Sequence, residues 1–312
     1  MSLFDLFHER RPFPGRDPWV LPFEGSFLLV QSAAGDRRVV IKRFRELEHM
    51  DRNTETVIWA PTNHRQVWAP ELHVLDGRWY LYVAASDGRS QNHRMYVLAA
   101  DTPFGPYEEL GPVGDPSHDG WAIDLTVFRH EGGLYAVWSG WEGPDDGFPQ
   151  NLYIAPMSNP WTISGERHCI SRPQHGWEMS VAAVNEGPEV IRHPETGRLF
   201  IIYAADASWT QAYKTGLLAW TGGDVLDPAS WRKQLQPFFA GGGHASVVET
   251  AAGREFVYHR KLSGDPGWAD REILHAPLTW DADGFPVVRA AAPSGRGATP
   301  AGRSAEGLGR VA

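Results

Sequence analysis

Apolar and aromatic residues gather along the chain in short runs separated by polar stretches. The strongest are F-L-L-V (27–30), R-V-V-I-K (38–42), W-Y-L-Y-V-A-A (79–85), M-Y-V-L-A (95–99), L-Y-A-V-W-S (134–139), L-Y-I-A (152–155), L-F-I-I-Y-A-A (199–205), G-L-L-A-W (216–220) and F-V-Y-H (256–259). They are rich in Val, Ile, Tyr and Phe, and Gly, Pro, Asp or Asn bound most of them, which is the signature of β-strands. Helical periodicity is nearly absent. The best helix candidate is D-P-A-S-W-R-K (227–233), a turn or two with Asp227 as its N-cap. The pattern predicts an all-β protein.

The runs also recur as units. Each unit has a lead-in strand, a Gly-containing turn, a strong aromatic strand, a loop and a third strand. The turns are Glu24-Gly25, Asp76-Gly77, Gly132-Gly133, Thr196-Gly197 and Gly253, and the lead-in strands begin near Asp17, Ala69, Asp124, Glu186 and His244. Steps of roughly 50 to 60 residues fall in the range of propeller blades and solenoids. One such antiparallel sheet cannot bury both faces by itself, whereas five in a ring cover one another and leave a central axis. The prediction is a five-bladed β-propeller, with residues 1–291 as a single domain. Beyond it, small residues, Gly and Pro dominate, and residues 292–312 are expected to form a disordered tail.

Composition narrows the choice of function. Of 312 residues, 42% are hydrophobic, enough for a sizeable core. A formal net charge of −9 disfavours nucleic acid and anionic membrane as partners. The 14 Trp residues call for either interior filling or a flat ligand to stack upon. Cys169 is the single cysteine, so no disulfide within the chain and no thiolate metal site is expected. The opening M-S-L-F-D-L-F-H-E-R-R lacks the apolar core of a secretory signal, and no window approaches a membrane span, so a cytoplasmic protein is expected.

The candidate chemistry lies at the blade starts. In V-N-E-G-P-E-V (184–190) a carboxylate, Glu186, stands at the threshold of an apolar strand. Alone, it reads as a turn residue before Gly-Pro. The blade phase changes that reading. Asp17 in G-R-D-P-W-V and Asp124 in W-A-I-D-L-T-V occupy equivalent positions, and His244 in G-G-G-H-A-S occupies a fourth. The innermost strands of a propeller line its axis, so these side chains share one mouth. Three carboxylates around one cavity cannot all ionise cheaply, and their pKa values should be driven apart, which lets one serve as acid and another as base.

This arrangement resembles glycoside hydrolase family 43, five-bladed propellers that cleave arabinose- or xylose-containing glycans. The resemblance spans about residues 16–288 and is carried by R-D-P-W, V-W-A-P-E-L-H, W-A-I-D-L-T-V-F, Q-N-L-Y-I-A-P-M-S-N-P-W-T, N-E-G-P-E-V and R-E-I-L-H-A-P-L-T-W-D-A-D-G-F-P, in that order. It implies an inverting hydrolase with Glu186 as general acid, Asp17 as general base, and Asp124 orienting the acid and modulating its pKa. It also implies Arg271 as the arginine that steadies the acid and a sugar hydroxyl. His244 matches an axial histidine that in many relatives approaches calcium or another hydrated cation; no organic cofactor is implied. Burial and Asp124 are expected to raise the pKa of Glu186. Trp68 and Trp121, at the heads of blades 2 and 3, are candidate sugar platforms, and Trp177 a candidate for an outer subsite. The fifth lead-in, G-G-G-H-A-S, departs from the G-P-G-H-N-S pattern of many relatives: Ala245 replaces an amide, which bears on the ion site. The expected partner is an arabinose- or xylose-containing oligosaccharide, with an arabinofuranosidase favoured. A β-xylosidase and a non-catalytic carbohydrate-binding propeller remain open as alternatives.

Overall fold

The computed structural model describes residues 13–50, 54–116, 119–143, 147 and 149–289. The expected tail, 292–312, lies outside the described residues, as do residues 1–12 of the expected domain. The described chain forms five antiparallel sheets in sequence order. Blade 1 holds Trp19–Phe23, Ser26–Ala33, Arg38–Phe44 and Thr56–Trp59, and blade 2 holds Arg65–Leu75, Arg78–Ser86, Arg94–Ala100 and Glu108–Pro112. Blade 3 holds Ala122–His130, Gly133–Gly140 and Asn151–Asn159, whose outer edge pairs with both Thr162–Ile163 and His168–Ser171. Blade 4 holds Asn185–Arg192, Leu199–Ala205, Lys214–Trp220 and Trp231–Lys233. Blade 5 holds Gly243–Thr250, Gly253–Lys261 and Arg271–Trp280, with Pro286–Val288 outside.

The ring is closed. Each first strand touches the first strand of the next blade, and that of blade 5 touches that of blade 1. A short strand, Phe13–Pro14, pairs with blade 5 (Phe13 opposite Ile273), so the first and last of the described strands share one sheet. Five apolar seams between blades hold the ring together. The seam of blades 2 and 3 centres on Tyr82 and Trp138, that of blades 3 and 4 on Tyr203, and that of blades 4 and 5 on Phe200 and Phe256. Two more lie between blades 1 and 2 and between blades 5 and 1. Each sheet thus buries both faces against its neighbours, the only way a small twisted sheet of this kind escapes water. No helix of the described residues is long and apolar enough to cross a membrane.

Two local expectations shift. Asp227 does cap, accepting from the Ala229 amide at 2.9 Å, but the helix is one 3-10 turn, Pro228–Ser230. Trp231–Lys233 leave it as an edge strand on Leu218–Trp220, where pairing satisfies more backbone than further helix would. The turn of blade 3 falls on Glu131 and Gly132, and Gly133 already begins the next strand.

What places the site is a shared irregularity. Asp17, Ala69, Asp124, Gly187 and His244, one per blade, all have left-handed backbone, with φ between +43° and +58°. In blades 2 to 5 a register shift of the first strand accompanies it. A bulge of this kind bends the strand and re-aims a side chain. Repeated around the ring, it turns the strand starts toward the axis. Left-handed backbone at a non-glycine residue costs about 1 kcal/mol or more, and such costs concentrate where function demands the geometry.

Candidate active site

Asp17, Asp124, Glu186, His244 and Arg271 converge at one end of the axis. His244 is the hub: its Nδ1 lies 3.5 Å from Asp17 Oδ1 and 3.9 Å from Asp124 Oδ2. Asp124 Oδ2 accepts from the Gly187 amide at 2.9 Å, gripping the peptide that follows Glu186. Gly187 is required there. A Cβ would stand 2.8 Å from the His244 ring, and the residue has φ +51°.

Two partners were not foreseen from the sequence. Tyr213, buried beside the cavity, donates its hydroxyl to Glu186 Oε1 at 2.8 Å. His259, wholly buried, accepts at Nδ1 from the Asp17 amide at 3.1 Å and stacks on Tyr213 with ring centroids 5.2 Å apart. Arg16 adds a third contact, with Nε 3.6 Å from Asp17 Oδ2, and is itself paired with Asp36.

The electrostatics separate the acids. Burial works to raise Asp17, but His244, His259, Arg16 and Arg271 outweigh it and hold the carboxyl well below the usual range. Burial pushes both imidazoles down, that of His259 to about 3, so the charges that persist at neutral pH are the two guanidiniums. Glu186 goes the other way. Burial first, and the charge of Asp17, push it up to about 7, against the lowering effect of the Tyr213 hydroxyl and Arg271. Asp124 is raised well above its ordinary value by burial, then by Glu186 and Asp17. Asp17 raises Glu186 from one side, and the repulsion between Asp124 and Glu186 acts on both carboxyls. Asp124 acts on the acid through the Gly187 amide.

A buried polar network fixes the approach to Glu186. Glu178, wholly buried, accepts from the Asn185 side chain at 2.9 Å, Tyr203 at 2.9 Å and Lys233 at 2.7 Å, and from the amides of Gln174 and His175. Asn185, directly before the acid, also takes bonds from Ser171 at 2.6 Å and Lys233 at 3.1 Å. Burial works to raise Glu178, yet Lys233 and those amides bring it below its usual value, while burial lowers Lys233 despite the partner. Desolvation weighs on both ions, so the pair acts chiefly to hold shape.

The expected platforms divide. Trp121 is 3% exposed, stacks on Trp141 with centroids 4.7 Å apart and spends its N–H on the Ser90 carbonyl. It builds the wall. Trp68 stacks on His93 at 3.8 Å, donates to Asp36 at 3.2 Å and keeps part of its surface open. Trp177, on the connector before blade 4, donates to the Leu235 carbonyl at 3.0 Å and packs against the seam of blades 3 and 4. Among the described residues no group of three or more His, Cys, Asp or Glu is placed to hold a metal ion. Ala245, next to His244, offers no side-chain ligand.

The model of glycosyl hydrolases family 43 matches residues 12–286. The chain belongs to that family. Among family relatives, "Alpha-L-arabinofuranosidase 43" of Humicola insolens is 36% identical over 83% of this chain. An extracellular exo-alpha-(1->5)-L-arabinofuranosidase of Streptomyces chartreusis is 33% identical over 78% of this chain and 80% of its own. This chain spans only 58% of the length of the Humicola protein. The crystal structure of an alpha-L-arabinofuranosidase from Lactobacillus brevis superposes with a TM-score of 0.81 at 30% identity, covering 92% of this chain and 97% of that one. Relatives at 26–27% identity include proteins named xylosidase/arabinosidase and beta-xylosidase.

Proposed function

We propose that the protein is an inverting glycoside hydrolase that releases arabinofuranosyl residues from oligosaccharides. The observation that carries this reading is the divergence of two carboxyls in one cavity. Glu186, pushed up to about 7, keeps a proton at neutral pH, while Asp17 stays ionised. Glu186 donates that proton to the glycosidic oxygen as the bond to the anomeric carbon breaks. Asp17 takes a proton from a water whose oxygen bonds to that carbon from the opposite face. Asp124 and Tyr213 hold the acid, and Arg271 faces the substrate hydroxyls. The sign of the pH dependence follows. Activity needs Glu186 protonated, so it falls as pH rises through about 7. It needs Asp17 ionised, so it persists well into acid.

Arabinose is favoured over xylose by the names of the relatives with more than 30% identity. Hydrolysis of 4-nitrophenyl α-L-arabinofuranoside and β-D-xyloside, with Glu186→Gln beside the wild type, tests the proposal. Turnover of the arabinoside is expected, and for Glu186→Gln a loss that is larger on oligosaccharides than on the 4-nitrophenyl glycoside, whose phenolate leaves with little protonation. An inactive wild type that still binds oligosaccharide would instead make the protein a carbohydrate-binding propeller.

A further inference from the structure

The rim carries an exposed aromatic pair that the cavity chemistry does not use. Trp268, 62% exposed, and half-buried Trp209 pack with ring centroids 5.2 Å apart and planes at 51°. They come from equivalent loops of adjacent blades, 206–213 in blade 4 and 262–270 in blade 5. Hydrogen bonds between and within the loops hold them in place. The Gly267 amide donates to the Trp209 carbonyl at 2.9 Å, the Leu262 amide to the Asp270 carbonyl at 2.8 Å, and Gln211 Nε2 to the Leu262 carbonyl at 2.9 Å. An indole held this way loses little freedom when a ligand covers it.

Its surroundings point to the ligand. Trp268 lies over the guanidinium of Arg271, 5.5 Å from ring centroid to Cζ. Arg271 is 8% exposed, and its Nε has no hydrogen-bond partner among the described residues. A buried N–H of this kind wants an acceptor. The blade 4 loop ends at Tyr213, the residue that holds Glu186. Beside Tyr213 opens a cleft of about 360 Å³, lined also by Thr210, Gln211, Arg260, Lys261 and Leu262. The blade 4 loop that carries Trp209 is thus tied to the acid through Tyr213.

We propose that Trp268, backed by Trp209, is the stacking platform for the sugar on the leaving-group side of the scissile bond. This rests on the glycosidase reading. The apolar face of a furanose or pyranose ring covers the indole, and its edge hydroxyls meet the cleft walls.

The test compares α-1,5-linked arabinotriose with 4-nitrophenyl α-L-arabinofuranoside, which has no second sugar. For Trp268→Ala, the ratio of kcat/KM on arabinotriose to that on the aryl substrate should fall about tenfold, with Trp268→Phe recovering part of it. An unchanged ratio, or equal losses on both substrates, overturns the platform. Binding of arabinotriose to Glu186→Gln, with and without Trp268→Ala, separates this inference from the reading of activity. Calorimetry should show about tenfold weaker binding in the double variant. That loss would support the platform even if the wild type turned over no substrate, a result that would sink the hydrolase reading alone. Equal affinities would sink the platform while leaving the hydrolase reading intact.

Discussion

Replacing Glu186 with Gln should stabilise the protein at alkaline pH. The wild-type carboxyl rises from an ordinary 4.5 to about 7 on folding. A raised carboxyl contributes stability fully present below its unfolded pKa and lost as pH climbs through the folded one. The rise corresponds to roughly 3 kcal/mol, or about 2 kcal/mol after allowing for the part of Glu186 open to water. Gln keeps the shape, can still accept from Tyr213, and carries no charge to repel Asp17 or to desolvate. Urea denaturation of both proteins at pH 4, 6 and 8 reads the difference. Glu186→Gln should be the more stable by about 2 kcal/mol at pH 8, with the gap closing by pH 4. A gap independent of pH, or a variant less stable at pH 8, would refute the assignment of a strained, proton-holding acid.

Three further outcomes are expected. Tyr213→Phe removes a donor that favours the ionised acid, so the alkaline limb of kcat/KM on an unactivated oligosaccharide should move up by about one pH unit; a limb that stays put or moves down contradicts the contact. Gly187→Ala drives a methyl to 2.8 Å from His244 in left-handed backbone, so it should cost about 1–3 kcal/mol by denaturation and most of the turnover, whereas wild-type kinetics would deny the packing. Lys233→Ala strands the wholly buried Glu178, and should destabilise by about 3–5 kcal/mol in urea titrations near neutral pH; a loss under about 1 kcal/mol would show that Glu178 is not ionised there.

Much of this was legible in the sequence, for a physical reason. Five short sheets with similar seams repeat the same pattern of aromatic runs and Gly turns, so Asp17 and Asp124 announced themselves by their common phase, while Glu186 stands one residue before the equivalent position, which Gly187 holds. What was hidden depends on which strand ends meet, within a blade and across the ring. Tyr213 sits in T-Q-A-Y-K, before the third strand of blade 4, and His259 at the end of an ordinary strand. Neither is at a blade start: Tyr213 reaches Glu186 across its own blade, and ring closure brings His259 to Asp17. The closing strand, Phe13–Pro14, is two residues long, too short for any period to show. Trp121 looked like a platform because it heads a blade, but a blade-head Trp can turn inward as readily as outward. Trp268 lies in a polar loop where no pattern singles it out, yet that loop is where a rim aromatic must be.

The central claim is that Glu186 holds its proton near neutrality while Asp17 does not. Carbon-13 NMR of the side-chain carboxyls, in protein labelled at Glu and Asp, tests it most directly, with Glu186→Gln and Asp17→Asn used to assign the two signals. A Glu186 signal with its midpoint at about 7, beside an Asp17 signal still ionised below pH 4, is the predicted result. A Glu186 midpoint at the ordinary 4.5, or an Asp17 that titrates above it, would contradict the account.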